Sequence, residues 1–316
     1  MQSIYFGKFQ VPGDEKKVFQ AAICDKTLQP VRTYVTHPLF FNKQLSQPTE
    51  YSIEETQTII ISQRWDHNYR HFLIETLPLI GKAKEFLRKN SGSKAVIFKN
   101  SPEYVTYILE CNGIGEKYGN LILQNTDSIV LYRNAYVMNN IPMTSENVCE
   151  SITQVIHKSC ERFPKTEKYR TKIFLDRKIL DNEVTSDEHF HSRRIVNKSI
   201  LYEIIDKYNY TYLEPGTVSF AEQVATIHYA DKIAIEICAG HMNALFCKPN
   251  ATFIVLYGTN TESWAAQTKH IGGISGVNVK LCRCGIPVPG MENKNKDILN
   301  MPWKIVDSQM IENYIQ

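Results

Sequence analysis

The sequence has no long apolar run. Nothing in it approaches the roughly 18 consecutive apolar residues that span a bilayer, and its first residues, MQSIYFGKFQVPGDEKK, carry no apolar core like that of a secretory leader. A membrane span is therefore not expected, and the chain as it stands is expected to be cytoplasmic. The eight cysteines are dispersed, with no Cys-x-x-Cys pair, and Cys282-Arg-Cys284 has the wrong spacing for a zinc knuckle. Free thiols are expected rather than a disulfide framework. No basic piece exceeds two residues, as at Arg193-Arg194, and the net charge is only +3. That excludes nucleic-acid binding through a polycationic tract, but leaves specific phosphate recognition open. Internal repeats and low-complexity tracts are also missing.

What is present is the composition of a folded protein, 43% hydrophobic and 22% charged over 316 residues, a length that suits two domains. Strand-like and helix-like stretches alternate. In the first half TIIIS (Thr58 to Ser62), AVIF (Ala95 to Phe98), LILQ and SIVLYRNAYVM read as strands. Asn68 to Leu87 reads as a helix, and PEYVTYILECNGI as a second one, opening on Pro102 and ending at Gly113. A polar stretch, KSCERFPKTEKYRTK, interrupts the pattern. The alternation then resumes: KIFLD, YTYLEP, DKIAIEI and ATFIVLYG as strands, KSILYEIIDKY, SFAEQVATIHYA and GHMNALF as helices. The fold class is α/β, with a Rossmann-like domain over 1–157, a second over 158–290, and a tail helix within 291–316 that packs back on the first.

The stretch WDHNYRHFLIETLP places His67, His71 and Glu75 four residues apart on one helix, away from the face carrying Tyr69, Phe72, Leu73, Thr76, Leu77 and Ile80. Asp66 or Asn68 can cap its start, and Pro78 should kink it. Three readings stay open. A zinc site would use both histidines and Glu75, but the HExxH glutamate lies between its histidines, where this chain has Asn68. A solvated helix face is the bland alternative. The third is a catalytic face, with Glu75 first and His71 second as the base that takes a proton from a substrate hydroxyl.

In the second half Arg177, Arg193 and Arg194 flank a loop between a strand and a helix, a residue type that suits a diphosphate because guanidinium groups offer paired donors to its oxygens. Ser219 and Glu222 form a capping-box pattern, with Gln223 able to face either way. Gly240, His241 and Asn243 open a helix after a strand, where exposed amides attract phosphate. They could equally be capping or core-edge residues. Tyr257, Trp264 and Trp303 could stack on a sugar or base, or simply pack. The chain has no Asp-x-Asp triad to hold a divalent ion to a diphosphate.

The motifs NYRHFLIETLP, FLDRK, SRRIVN, SFAEQV and AGHMNALFCKPNATFIVLYG occur in the order and spacing of glycosyltransferase family 61, which the chain resembles from about Asn68 to Gly258. The resemblance implies a GT-B-like architecture, two Rossmann-like domains facing across a cleft. It implies inverting transfer of a hexose or pentose from a nucleotide-diphosphate sugar to a hydroxyl of a glycan or glycoconjugate acceptor, without a metal or other cofactor. Arg177, Arg193, Arg194 and Asn197 would surround the donor diphosphate. Ser219, Glu222, Gln223, Gly240, His241 and Asn243 would line the nucleotide side. Glu75 and His71 would act from the other domain, with Asp66, His67 and Asn68 on the acceptor side. The chain departs from the family at Ile237, where a histidine is common, and at Lys198, where a glutamate often follows the asparagine. A surface-glycan enzyme of bacterial or viral type fits the missing leader. The alternatives are a non-catalytic nucleotide-sugar or glycan-binding module, and a nucleotide-sugar epimerase of the same fold.

Overall fold

The computed structural model describes residues 2–11, 14–24, 50–61, 68–125, 127–138, 141–167, 171–177, 194–290 and 301–316. It is an α/β protein of two compact units, Met1–Gln154 and Val155–Gln316. The division falls inside one continuous helix, Ser145–Arg162. Lys158 to Arg162, read above as the start of a polar interruption, are its last turns. No described helix is long and apolar enough to cross a membrane.

The first unit is built on strands β1 (Gln2–Val11), β2 (Asp14–Cys24), β3 (Ser52–Glu54), β4 (Thr58–Ile60), β5 (Lys94–Phe98), β6 (Leu121–Gln124) and β7 (Val130–Val137). They form one sheet in the order β2-β1-β7-β4-β5-β6, with β3 also on β7. Strands β7, β4, β5 and β6 are parallel neighbours, while β1 pairs antiparallel with β2 and β7. The parallel strands are covered on both faces and so read as unbroken apolar runs: Ile59, Ile60, Ala95 and Val96 are fully buried. The antiparallel β1–β2 hairpin gave no comparably clear pattern. Its Phe6 stacks on Phe98 with centroids 4.6 Å apart.

From β4 the chain enters helix α1, which runs through Tyr69–His71, a π-helical turn Phe72–Thr76, and Leu77–Lys89; helices α2 (Glu103–Cys111) and α3 (Ser145–Arg162) come later in the chain. Proline explains the π turn. Pro78 has no N–H for the Ile74 carbonyl and its ring crowds that oxygen. The ladder widens just before it, with the Leu77 N–H donating to Phe72 O. The kink expected at Pro78 is thus accommodated as one wider turn.

The second unit holds β8 (Lys172–Leu175), β9 (Thr211–Leu213), β10 (Lys232–Glu236), β11 (Thr252–Gly258), β12 (Asn278–Pro287) and β13 (Trp303–Ile305). Their order is β13-β12-β11-β10-β8-β9. All pairs are parallel except β12 with β13. Counted in chain order, the five parallel strands run 2-1-3-4-5, so strand order reverses between β8 and β10. In such sheets ligands bind at that switch point, beyond the carboxyl ends of the strands.

Helices Lys198–Lys207 (α4), Phe220–Tyr229 (α5) and Glu262–Ser275 (α6) follow β8, β9 and β11. Neither α6 nor β12 was expected from the sequence. The last helix, Ser308–Ile315 (α7), buries Ile311 and Ile315 against Leu201 and Ile204 of α4. Residues 301–316 therefore belong to the core of the second unit, where the sequence reading had a tail packing back on the first; residues 291–300 lie outside the described residues. Trp303 is fully buried there, and a Cβ on Gly285 would lie only 2.1 Å from its Cε3. Tyr257 is also buried. Both pack rather than offering a stacking platform.

Candidate functional site

The start of α1 supplies the first group of polar side chains. Asn68 caps the helix: its Oδ1 accepts from the N–H groups of Arg70 at 3.1 Å and His71 at 3.4 Å. One turn on, His71 Nδ1 lies 2.6 Å from Glu75 Oε1, with the side chains 32% and 19% exposed. A carboxylate can only accept, so Nδ1 donates, and in the neutral ring Nε2 is then the acceptor nitrogen. The other carboxylate oxygen, Oε2, is buried with no hydrogen-bond partner among the described residues. Burial lowers the Arg70 pKa, and the charge of Glu75 opposes that shift. Phe72, Leu73 and Thr76 are buried on the other face, which fixes the direction in which His71 and Glu75 project. Asp66 and His67 lie outside the described residues.

The carboxyl edge of the second sheet carries a denser arrangement. Asp176 follows β8 and Glu236 closes β10, the two strands of the switch point. They are 5% and 0% exposed. Lys198, the first residue of α4, sits between them, its Nζ 2.8 Å from Asp176 Oδ1 and 2.9 Å from Glu236 Oε1. Arg177 donates its backbone N–H to Asp176 Oδ1 at 2.8 Å and holds its Nε 3.9 Å from Glu236 Oε1. Tyr202, one turn along α4, donates its hydroxyl to Asp176 Oδ2 at 3.1 Å. Burial works against the charge on Lys198, but Glu236 and Asp176 outweigh it and hold the ammonium pKa well above its ordinary value. Burial and the neighbouring Asp176 push the Tyr202 phenol up to about 12. Two cations and two carboxylates thus meet at the ligand end of the sheet.

The remaining expected site residues divide by what they touch. Asn197 spans the Ile305 backbone, donating to its carbonyl at 2.9 Å and accepting from its N–H at 2.8 Å. This ties the start of α4 to β13. Ser219 caps α5 by accepting from the Glu222 N–H at 3.3 Å. Gln223 donates to Asn243 Oδ1 at 2.9 Å, and Asn243 donates to Gly240 O at 2.9 Å. These bonds bring the α5 start and the 3₁₀ turn Ala239–Phe246 together. His241 is fully buried, with Nδ1 2.5 Å from Cys238 O. A Cβ at Gly240 would lie 2.9 Å from Ile235 Cδ1, so the turn admits only glycine without a shift. Arg194 gives its carbonyl to the Trp303 N–H at 2.9 Å. Arg193 lies outside the described residues. Among the described residues no group of three or more His, Cys, Asp or Glu side chains could hold a metal ion, and His71 and Glu75 bond to each other.

A family model described as Glycosyltransferase 61 matches residues 69–254, more than half of the chain. The chain belongs to glycosyltransferase family 61. It is a glycosyltransferase, and as such handles a sugar donor and a glycan acceptor. No curated protein matches it. The family 61 match spans both the His71–Glu75 pair and the Asp176–Lys198–Glu236 cluster. Sequence reasoning missed the cluster's two acids. The available signal was a single charged residue closing each of two apolar strands, KIFLD and IAIEI, which is where a doubly wound sheet exposes its ligand edge.

Proposed function

We propose that this enzyme is an inverting glycosyltransferase that moves a sugar from a nucleotide-diphosphate donor to a hydroxyl of a glycan or glycoconjugate. The observation that carries the reading is the position of Arg177, at the carboxyl end of β8 and beside the β8/β10 switch point. A guanidinium there meets a diphosphate where the fold places ligands. The donor lies on the second unit, its leaving diphosphate neutralised by Arg177, Arg193 and Arg194 rather than by a metal ion. The GT-B arrangement is part of the proposal, since transfer needs the pair on α1 and the diphosphate to meet on one pair of substrates.

The acceptor hydroxyl gives its proton to His71 Nε2 as its oxygen attacks the anomeric carbon from the face opposite the diphosphate. The bond from that carbon to the phosphate oxygen breaks, and the diphosphate takes the electron pair. What supports His71 as the base, with Glu75 as its orienting partner, is the 2.6 Å contact, which commits Nδ1 to donation and leaves Nε2 as acceptor. This reverses the order read from the sequence. Replacing either group, as in His71→Gln or Glu75→Gln, is expected to lower kcat by roughly 10²–10⁴-fold with donor binding unchanged. Steady-state kinetics with the cognate donor and acceptor checks it; wild-type kcat in both variants removes the pair from the mechanism.

A further inference from the structure

The two oxygens that hold Arg177 are also the two that hold Lys198. Asp176 Oδ1 accepts from the Arg177 backbone N–H and from Lys198 Nζ. Glu236 Oε1 accepts from Lys198 Nζ and stands 3.9 Å from Arg177 Nε. We infer that Lys198 is a positioning residue for the donor diphosphate, its ammonium clamping both carboxylates and thereby fixing the backbone and the guanidinium of Arg177. The inference rests on the donor-site reading and deepens it.

Charge arithmetic gives the reason. Asp176 and Glu236 are almost completely buried, so each needs a compensating cation. Among the described residues Lys198 and Arg177 supply one each, which balances the two carboxylates. Without Lys198 the two carboxylates would keep only Arg177 among those cations, beside the site meant for an anion. The two cations are also not interchangeable. A compact ammonium can bridge two separate carboxylates, whereas the planar guanidinium offers paired donors outward to phosphate oxygens. Tyr202 completes the surroundings, with its hydroxyl on Asp176 and its ring centroid 5.4 Å from Lys198 Nζ. The position where this chain departs from the family's glutamate is therefore filled by a residue that serves the same edge through its neighbours.

The test is calorimetric titration of the full-length protein with inorganic pyrophosphate, the part of the donor common to every base and sugar. Lys198→Met is expected to bind roughly 10–100-fold more weakly than wild type. Because the lysine acts through Arg177, the two losses should not add: Lys198→Met/Arg177→Ala should bind no more weakly than Arg177→Ala alone. A purely structural lysine would give additive losses. Should Lys198→Met fail to fold, the charge-balanced double variant Lys198→Met/Glu236→Gln takes its place; it lacks the clamp and is expected to bind weakly as well. Wild-type affinity in whichever variant folds overturns the inference. Arg177→Ala separates the levels. If it loses affinity while the Lys198 variant does not, only the clamp is wrong. If it binds as wild type does, the donor-site reading fails and the inference falls with it.

Discussion

His228 shows how a single buried residue makes the second unit sensitive to acid. Its Nδ1 lies 3.1 Å from Phe246 O, a carbonyl that can only accept, so Nδ1 carries the hydrogen. Burial lowers the imidazole pKa below 6.5, the bond to Phe246 opposes this, and the charge of Lys248 adds to the depression. Folding therefore favours the neutral ring. Its contribution is complete above the unfolded value of about 6.5 and is lost as pH falls through the lower folded value. Urea unfolding as a function of pH should show wild type losing stability below about pH 6.5 more steeply than His228→Gln; coincident slopes would refute the assignment. At this scale the sequence was readable where chemistry is local. Asn68 as a cap and the four-residue spacing of His71 and Glu75 follow from helical periodicity alone. Lys198 between Asp176 and Glu236 does not, because those three positions meet only through strand order. Ser219 behaves as the capping box suggested, while Asn197 spends its amide on Ile305.

At the scale of elements, Asn197 links two of them. Its two bonds to Ile305 satisfy that residue's backbone carbonyl and N–H, and they seat α4 where Lys198 enters the carboxylate pair. Asn197→Ala should cost about 1–3 kcal/mol, two net hydrogen bonds, and should weaken donor binding by displacing Lys198. Chemical denaturation combined with ligand titration checks both parts; unchanged stability would mean that the bonds contribute little. The apolar parallel strands β4, β5, β8, β10 and β11 were legible because burial on both faces leaves continuous Val, Ile and Phe runs. Helix α6 and strand β12 were not. The α6 segment ESWAAQTKHIGGIS contains two glycines and few large apolar residues, and β12 sets exposed Lys280 and Arg283 among half-buried and buried positions. Gly272 in α6 is conspicuous for a packing reason: a Cβ there would clash with Val277 and Val279. A helix breaker by propensity is thus an approach point by packing. The π turn in α1 was also hidden, although Pro78, its cause, was plain.

At the scale of the molecule, two α/β sheets each reverse strand order beside a polar group, β4/β7 in the first unit and β8/β10 in the second. His71 and Glu75 stand on the helix after β4; Asp176, Arg177 and Glu236 close β8 and β10. Under the proposed function the repetition has a meaning: the pair beside the first sheet would activate the acceptor, and the edge of the second would hold the diphosphate. The claim that unites them is donor binding by the second unit. It is tested most directly by the melting temperature of the protein against a panel of nucleoside diphosphates and their sugars, with and without EDTA, since a ligand that binds only the native state must raise it. At about 100 times its Kd a donor adds about 2.7 kcal/mol, so a clear rise with one base, unaffected by EDTA and lost in Arg177→Ala, is the predicted result. No shift with any nucleotide at millimolar concentration would contradict the account.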